Sequence, residues 1–263
     1  MTQQFYVSPE QLMKDRADFA RKGIARGRSV VVLTCRDGIA FVAENPSPSL
    51  HKLGEIYDRI GFAAVGKYNE FESLRQAGVR YADVRGYSYA REDVTARGLA
   101  SVYAQSLGSV FTADGKPFEV ELAVAEVGKE PYGDHLYRLT YDGSIADESN
   151  YVVMGGQAEV VNDSLARTWS PDTTFPEAIK VAVRALAATR RPPETAETQS
   201  NPSGQDAEAA QGRELLGTEL LGAGLLEVAV LDRDPLSTRG TARAFRRIGT
   251  VELDRLLSSP EGD

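Results

Sequence analysis

Cysteine and histidine are nearly absent from this sequence. Its 263 residues hold one cysteine, Cys35, and two histidines, His51 and His135. A single cysteine excludes an intrachain disulfide. So few soft or imidazole ligands argue against a zinc centre of the usual His/Cys kind. A serine hydrolase would have to recruit one of the two histidines as its base. Both stand in polar contexts, "SLHK" and "GDHLYRL", which read as surface positions. No G-x-S-x-G, Walker A or G-x-G-x-x-G pattern occurs, and no cofactor is expected. Long apolar runs are missing too: none approaches the ~18 residues that cross a bilayer. The leader lacks the basic-then-apolar pattern of a signal peptide. Together these absences lead to the expectation of a cytoplasmic protein. The net charge of −8 argues against nucleic acid as the main partner.

What is present is ordinary for a globular chain: 42% apolar and 26% charged residues, enough length for one large domain or two small ones. Ser8-Pro9-Glu10-Gln11 predicts a helix start, with Ser8 as cap, Pro9 at the first helical position and Gln11 closing a capping box. Met13, Ala17, Ala20 and Ile24 form one stripe at helical spacing, with Leu12 and Phe19 beside it. Gly23 and Gly27 weaken and end the helix. "SVVVLTC" and "IAFVAEN" then flank Arg36-Asp37-Gly38, a hairpin signal. Neither run alternates cleanly, so both faces should be buried, as in a sheet held between layers.

"IGFAAVG" (60–66) predicts a further buried strand, followed by helices from Asn69 and around 92–111. Strands return at 118–128, at "HLYRLTY" before a turn at Asp142-Gly143, and at "YVVMGG". Two helices are expected near 157–169 and 175–190, the second opened by Pro176. From 192 to 224 the composition shifts to Pro, Glu, Gln, Ser, Ala and Gly. Six acidic residues, Glu194, Glu197, Asp206, Glu208, Glu214 and Glu219, face one Arg213. Such a segment buries too little apolar surface to offset ordering and reads as a disordered linker. "LLEVAVLD" and "ARAFRRI" resume as strands, "TVELDRLL" as a closing helix, and 258–263 as a tail. The expected organisation is therefore a leader (1–7), a core (8–191), the linker (192–224) and the last core elements (225–257). Strand groups separated by helix pairs predict two stacked sheets with helices outside them.

Four stretches carry a resemblance: "SPEQLMKDRADFARKGIARGRSVVVL", "GIAFVAENPSPSLHKLGEIYDRIGFAAVGKYNEF", "RGYSYAREDVTARGLASVYAQSLG" and "LYRLTYDGSIADESNYVVMGG". In this order they resemble proteasome α-type subunits of the actinobacterial kind. The likeness is close over about residues 5–190 and looser over 225–257, judged on ordered segments rather than single motifs. It implies an α+β fold, a four-layer αββα sandwich of the N-terminal-nucleophile hydrolase type with an added N-terminal helix. It also implies a non-catalytic member of a seven-membered ring that stacks on β-type subunits, which carry the threonine nucleophile. In catalytic relatives that nucleophile opens the first strand. Here the matching place is near Arg28-Ser29 with a whole helix ahead of it, so no free α-amine is available as base. The alternatives are an autonomous amidohydrolase of the same fold and an oligomeric scaffold without a protease partner.

The resemblance also names residues. Lys52 matches the lysine of the pocket between neighbouring α subunits, where it meets the C-terminal carboxylate of a ring-shaped ATPase. Gly27 and Gly66 match neighbouring pocket positions, where small residues admit a peptide backbone. Lys67 departs from the apolar residue many relatives carry there and adds a second positive charge. Met1, Thr2, Gln3, Gln4, Phe5, Tyr6 and Val7 match the gate segment that closes the axial pore; without the resemblance they read as a frayed terminus. Unfolded substrate chains would pass through that pore. Thr2 as a nucleophile is disfavoured, since it lies far before the first strand. Cys35, inside a strand, reads as a small buried hydrophobe. The basic run Arg16, Arg21, Lys22, Arg26 and Arg28 is either a solvated helix face or a contact with a ring neighbour.

Overall fold

In a computed structural model, residues 8–113, 115–190, 221–235 and 243–259 are described. Chain order begins with α1 (Pro9–Ala25), β1 (Val30–Cys35), β2 (Gly38–Glu44), β3 (Leu53–Tyr57), β4 (Ile60–Gly66), α2 (Tyr68–Ser88) and α3 (Ala96–Thr112). It continues with β5 (Val120–Glu126), β6 (His135–Leu139), β7 (Ile145–Glu148), β8 (Tyr151–Met154), α4 (Ala158–Thr168) and α5 (Phe175–Ala188). After the break come β9 (Leu226–Asp232), β10 (Phe245–Ile248) and α6 (Thr250–Ser258).

The strands make two five-stranded antiparallel sheets, ordered β10-β9-β2-β1-β8 and β3-β4-β5-β6-β7. Period-2 alternation assigns each face of the first sheet. Val31, Leu33, Ala40 and Val42 face outward with Ile179, Val183 and Leu186 of α5 and with Val161 and Leu165 of α4. Val30, Val32, Ile39 and Phe41 face inward against Ala63, Val65, Ala123 and Ala125 of the second sheet. On that sheet's far side Phe62, Leu122 and Val124 meet Leu74 of α2 and Leu99, Tyr103 and Leu107 of α3. The expected four-layer sandwich is therefore the observed one, and β1 and β2 are buried on both faces as the unbroken apolar runs require.

Several expectations need correction. The capping box of α1 is only half made: Ser8 accepts the Gln11 backbone N–H at 3.2 Å, but the Gln11 side chain donates to Asp15 instead. Arg16 does not belong to a solvated basic face. It is buried, and its guanidinium donates to the carbonyls of Ala113 and Gly115, locking α1 to the end of α3. Two strands, β3 and β7, were not foreseen. The Asp142-Gly143 turn leads β6 into β7, while Tyr151–Met154 crosses to the other sheet and pairs with β1. The 192–224 segment lies outside the described residues except at its end, where Leu221 and Ala223 are buried among α5 and α6 side chains. The packed core thus resumes before 225. Among the described residues no helix is long and apolar enough to cross a membrane.

Candidate functional site at the entrance to β1

The first sheet's inner strand starts at Val30, and the residues before it are closed off. Ser29 is buried, and its carbonyl accepts the Glu44 N–H at 3.2 Å. A peptide bond joins it to Arg28, where α1 has just ended with the Gly27 N–H bonded to the Ile24 carbonyl at 2.8 Å. The place that would hold a free terminus in a nucleophilic relative is thus mid-chain, with a 17-residue helix before it.

Lys52 reaches this entrance from the residue preceding β3. Its carbonyl accepts the Ala64 N–H at 3.0 Å, registering β3 on β4. Its Nζ donates to the Arg28 carbonyl oxygen at 2.7 Å. Burial drives the Lys52 pKa down from the ordinary lysine value to about 8. The carboxylates of Glu44 and Glu227 oppose that fall, and the Arg28 guanidinium adds to it. Glu44 is in turn held by Arg28 at 3.0 Å and by Arg190 at 2.5 Å. The result is a partly desolvated ammonium whose protonation is poised near physiological pH, a group suited to meeting a carboxylate.

Gly27 and Gly66 lie against each other beside it. A Cβ on Gly27 would stand 3.4 Å from the Gly66 nitrogen. Gly66 has φ of 105°, and a Cβ there would collide with the Glu119 carbonyl oxygen. Its glycine is therefore demanded by this chain's own backbone, apart from any visiting peptide. Lys67 follows as the N-cap of α2. Its N–H donates to the Glu119 carbonyl at 2.9 Å, and its Nζ lies 3.9 Å from Glu70, which Lys116 holds more closely at 2.6 Å. The structure thus brings Lys52, Gly27 and Gly66 to one place and turns Lys67 toward the first turn of α2. Met1, Thr2, Gln3, Gln4, Phe5, Tyr6 and Val7 lie outside the described residues.

Sequence reading missed the groups that set Lys52's environment, Glu44 and the Arg28 carbonyl. Neither carries a local signal, because their proximity to Lys52 arises only when β2 and β3 fall in different sheets. Cys35 is buried with its thiol donating to the Gly38 carbonyl at 3.3 Å, and burial pushes its pKa up to about 11, which keeps it protonated and inert.

Residues 24–199 match the family model described as proteasome subunit. Over 258 residues the chain is 66% identical to the proteasome subunit alpha of Arthrobacter sp. (strain FB24), covering 98% of this chain and 99% of that one. It is 63% identical over 262 residues to the corresponding subunit of Renibacterium salmoninarum, and 57% identical over 259 residues to that of Kineococcus radiotolerans. The first of these two alignments spans 100% of this chain and 98% of the relative, the second 98% and 99%. Identity of this order along nearly the whole length, on a sandwich of two five-stranded sheets, means that the chain belongs to the proteasome subunit family.

Proposed function

We propose that this chain is a non-catalytic α-ring subunit of a proteasome core particle. Copies of it form a seven-membered outer ring in the cytoplasm, stack on a ring of β-type subunits that carry the threonine nucleophile, and receive a ring-shaped ATPase through its C-termini. The observation that carries the non-catalytic part is α1 itself, which packs into the inner core through buried Ala20 and Ile24 directly ahead of Arg28-Ser29 and so is a built element of the fold rather than a removable leader. Without a free α-amine at the start of β1, the base of the N-terminal-nucleophile mechanism is missing. Confinement then supplies selectivity, since only an unfolded chain threads the pore.

Within this reading Lys52, flanked by Gly27 and Gly66, anchors the ATPase's terminal carboxylate between two α subunits, with Lys67 at the rim. Residues 1–7 close the axial pore, residues 8–191 and 221–257 form the core, and 192–220 are a spacer. The test is a comparison of the isolated chain with the chain co-assembled with a β-type partner, by native mass and peptide hydrolysis. The isolated chain should be inactive, and activity should appear with the partner in a particle of stacked rings. Peptidase activity intrinsic to the isolated chain would overturn the reading.

A further inference from the structure

The carboxylate of Glu227, on β9, collects an unusual number of donors for a side chain that no motif singles out. It is almost wholly shielded, at 9% exposure. Oε2 accepts the backbone N–H of Lys52 at 2.8 Å and the side-chain amide of Asn45 at 2.8 Å. Oε1 accepts the Leu53 N–H at 3.3 Å and the Arg247 guanidinium at 2.5 Å, with His51 Nδ1 at 3.2 Å. Two successive backbone amides thus converge on one carboxylate where the 45–52 loop enters β3. Such convergence fixes the direction in which the intervening side chain leaves the backbone. Asn45 ties the other end of that loop down as well, donating to the Leu50 carbonyl at 2.7 Å.

We propose that Glu227 is the positioning residue of the Lys52 site: its carboxylate grips the Lys52 and Leu53 amides and so aims the Lys52 ammonium at the entrance to β1, where a visiting peptide carboxylate is received. The inference rests on the docking role proposed above for Lys52. Placement is specific because β9 and β3 lie in different sheets, so this one side chain couples the sheets at the site. Glu227 also lies close enough to Lys52 to favour its charged form, together with Glu44 and against Arg28.

The test uses the full α chain in rings of native mass. The probe is N-acetyl-Ala-Ala-Leu-Leu with a free carboxylate, set against its C-terminal amide. Lys52→Ala first establishes whether the carboxylate is read there. Glu227→Gln keeps the side-chain shape but places an amide donor against the donors of Asn45, Lys52, Leu53 and Arg247. It should weaken the free-carboxylate peptide about tenfold, the scale of one charge-assisted hydrogen bond, and leave the amide peptide unmoved. An isotopically methylated Lys52 signal should titrate at lower pH in this variant than in the wild type. Glu227→Asp retains the charge with a shorter reach. It should weaken the peptide while holding the titration near the wild-type midpoint, and it carries the test if Glu227→Gln does not form rings. Wild-type affinity and titration in both variants would overturn the inference. If Lys52→Ala binds like wild type, the docking reading fails instead, and the lysine titration in Glu227→Gln still decides whether Glu227 governs Lys52.

Discussion

Lys52 combines two properties that pull against each other. Its ammonium is desolvated, which lowers its proton affinity, yet its proposed task needs the charge. A terminal carboxylate binds the protonated form and raises its pKa in the complex, so docking takes up a proton wherever free Lys52 is neutral. With the free pKa at about 8, affinity should be flat below that pH. Above it, affinity should fall about tenfold per pH unit until the pKa of the bound form is reached. Lys52→Ala should remove this alkaline limb and weaken ATPase docking, a loss of about 1.5–3 kcal/mol per site for a charge-assisted hydrogen bond. Lys52→Arg should restore docking only in part, because a planar fork does not replace a compact ammonium, and its limb should vanish because arginine stays charged. Calorimetric titration of the ATPase between about pH 6.5 and 9.5, a range centred on the lysine midpoint, checks both variants against the wild type; a Lys52→Ala ring that docks normally would move the anchor elsewhere, with Lys67 the next candidate. The lysine itself was recognisable through the resemblance of "SLHKLGEIYD" to the family. Its partners Glu44, Glu227 and the Arg28 carbonyl were not, because they are brought together by sheet order rather than by spacing along the chain.

At the level of elements, legibility followed burial. The strands buried on both faces, β1, β2, β4 and β5, announce themselves as apolar runs, and the helices by their stripes. The strands that were missed, β3 and β7, are the two edges of the second sheet. β7 reads "IADE" with no buried residue, and β3 reads "LGEIY" with a glycine and a glutamate, so neither carries the apolar run that marks a core strand. The same logic explains Arg16. A charged residue within a basic run reads as solvated, and only the position of the α3 terminus turns it into an internal donor. Arg16→Ala should release the carbonyls of Ala113 and Gly115 to water and loosen α1 from α3, at about 0.5–1.5 kcal/mol for each hydrogen bond lost. Faster amide exchange confined to α1 and the end of α3, measured in assembled rings, is the expected signature; exchange unchanged in α1 would mean that other contacts hold it. The leader ahead of α1 poses a separate question. Deleting residues 1–7, with Ser8 retained as the cap, should raise peptide hydrolysis by the assembled particle while the β-type active sites keep their reactivity toward a small covalent threonine inhibitor. A peptide rate equal to that of the intact particle would reject the gate.

Over the whole molecule, the two sheets are joined by polar staples as well as by the inner apolar layer. Arg233, after β9, makes a buried pair with Asp134, ahead of β6, at 2.8 Å, and also donates to the Cys35 and Arg36 carbonyls at the β1–β2 turn. These links make the last strands part of the same body as the first ones, although residues 191–220, which lie outside the described residues, come between them and α5. Both flanks of that segment are tied to the end of β2: the Arg190 guanidinium pairs with Glu44 at 2.5 Å, and the Leu225 carbonyl accepts the Asn45 N–H at 2.8 Å. Flanks fixed to the last residue of β2 and the residue after it can be bridged by a short link at small cost, since loop-closure entropy varies only slowly with length. Replacing 192–219 with a few Gly and Ser residues should therefore leave ring formation and co-assembly with the β-type partner intact. Carrying the deletion through 224 should not, because it removes Leu221 and Ala223 from among the α5 and α6 side chains. Losing a buried leucine of this kind costs about 2–5 kcal/mol. Native mass and thermal midpoint of the two deletions side by side test the boundary. Equal stability of the shorter and longer deletions would show that the core begins at 225, and failure of the shorter one to assemble would give the acidic segment a structural role.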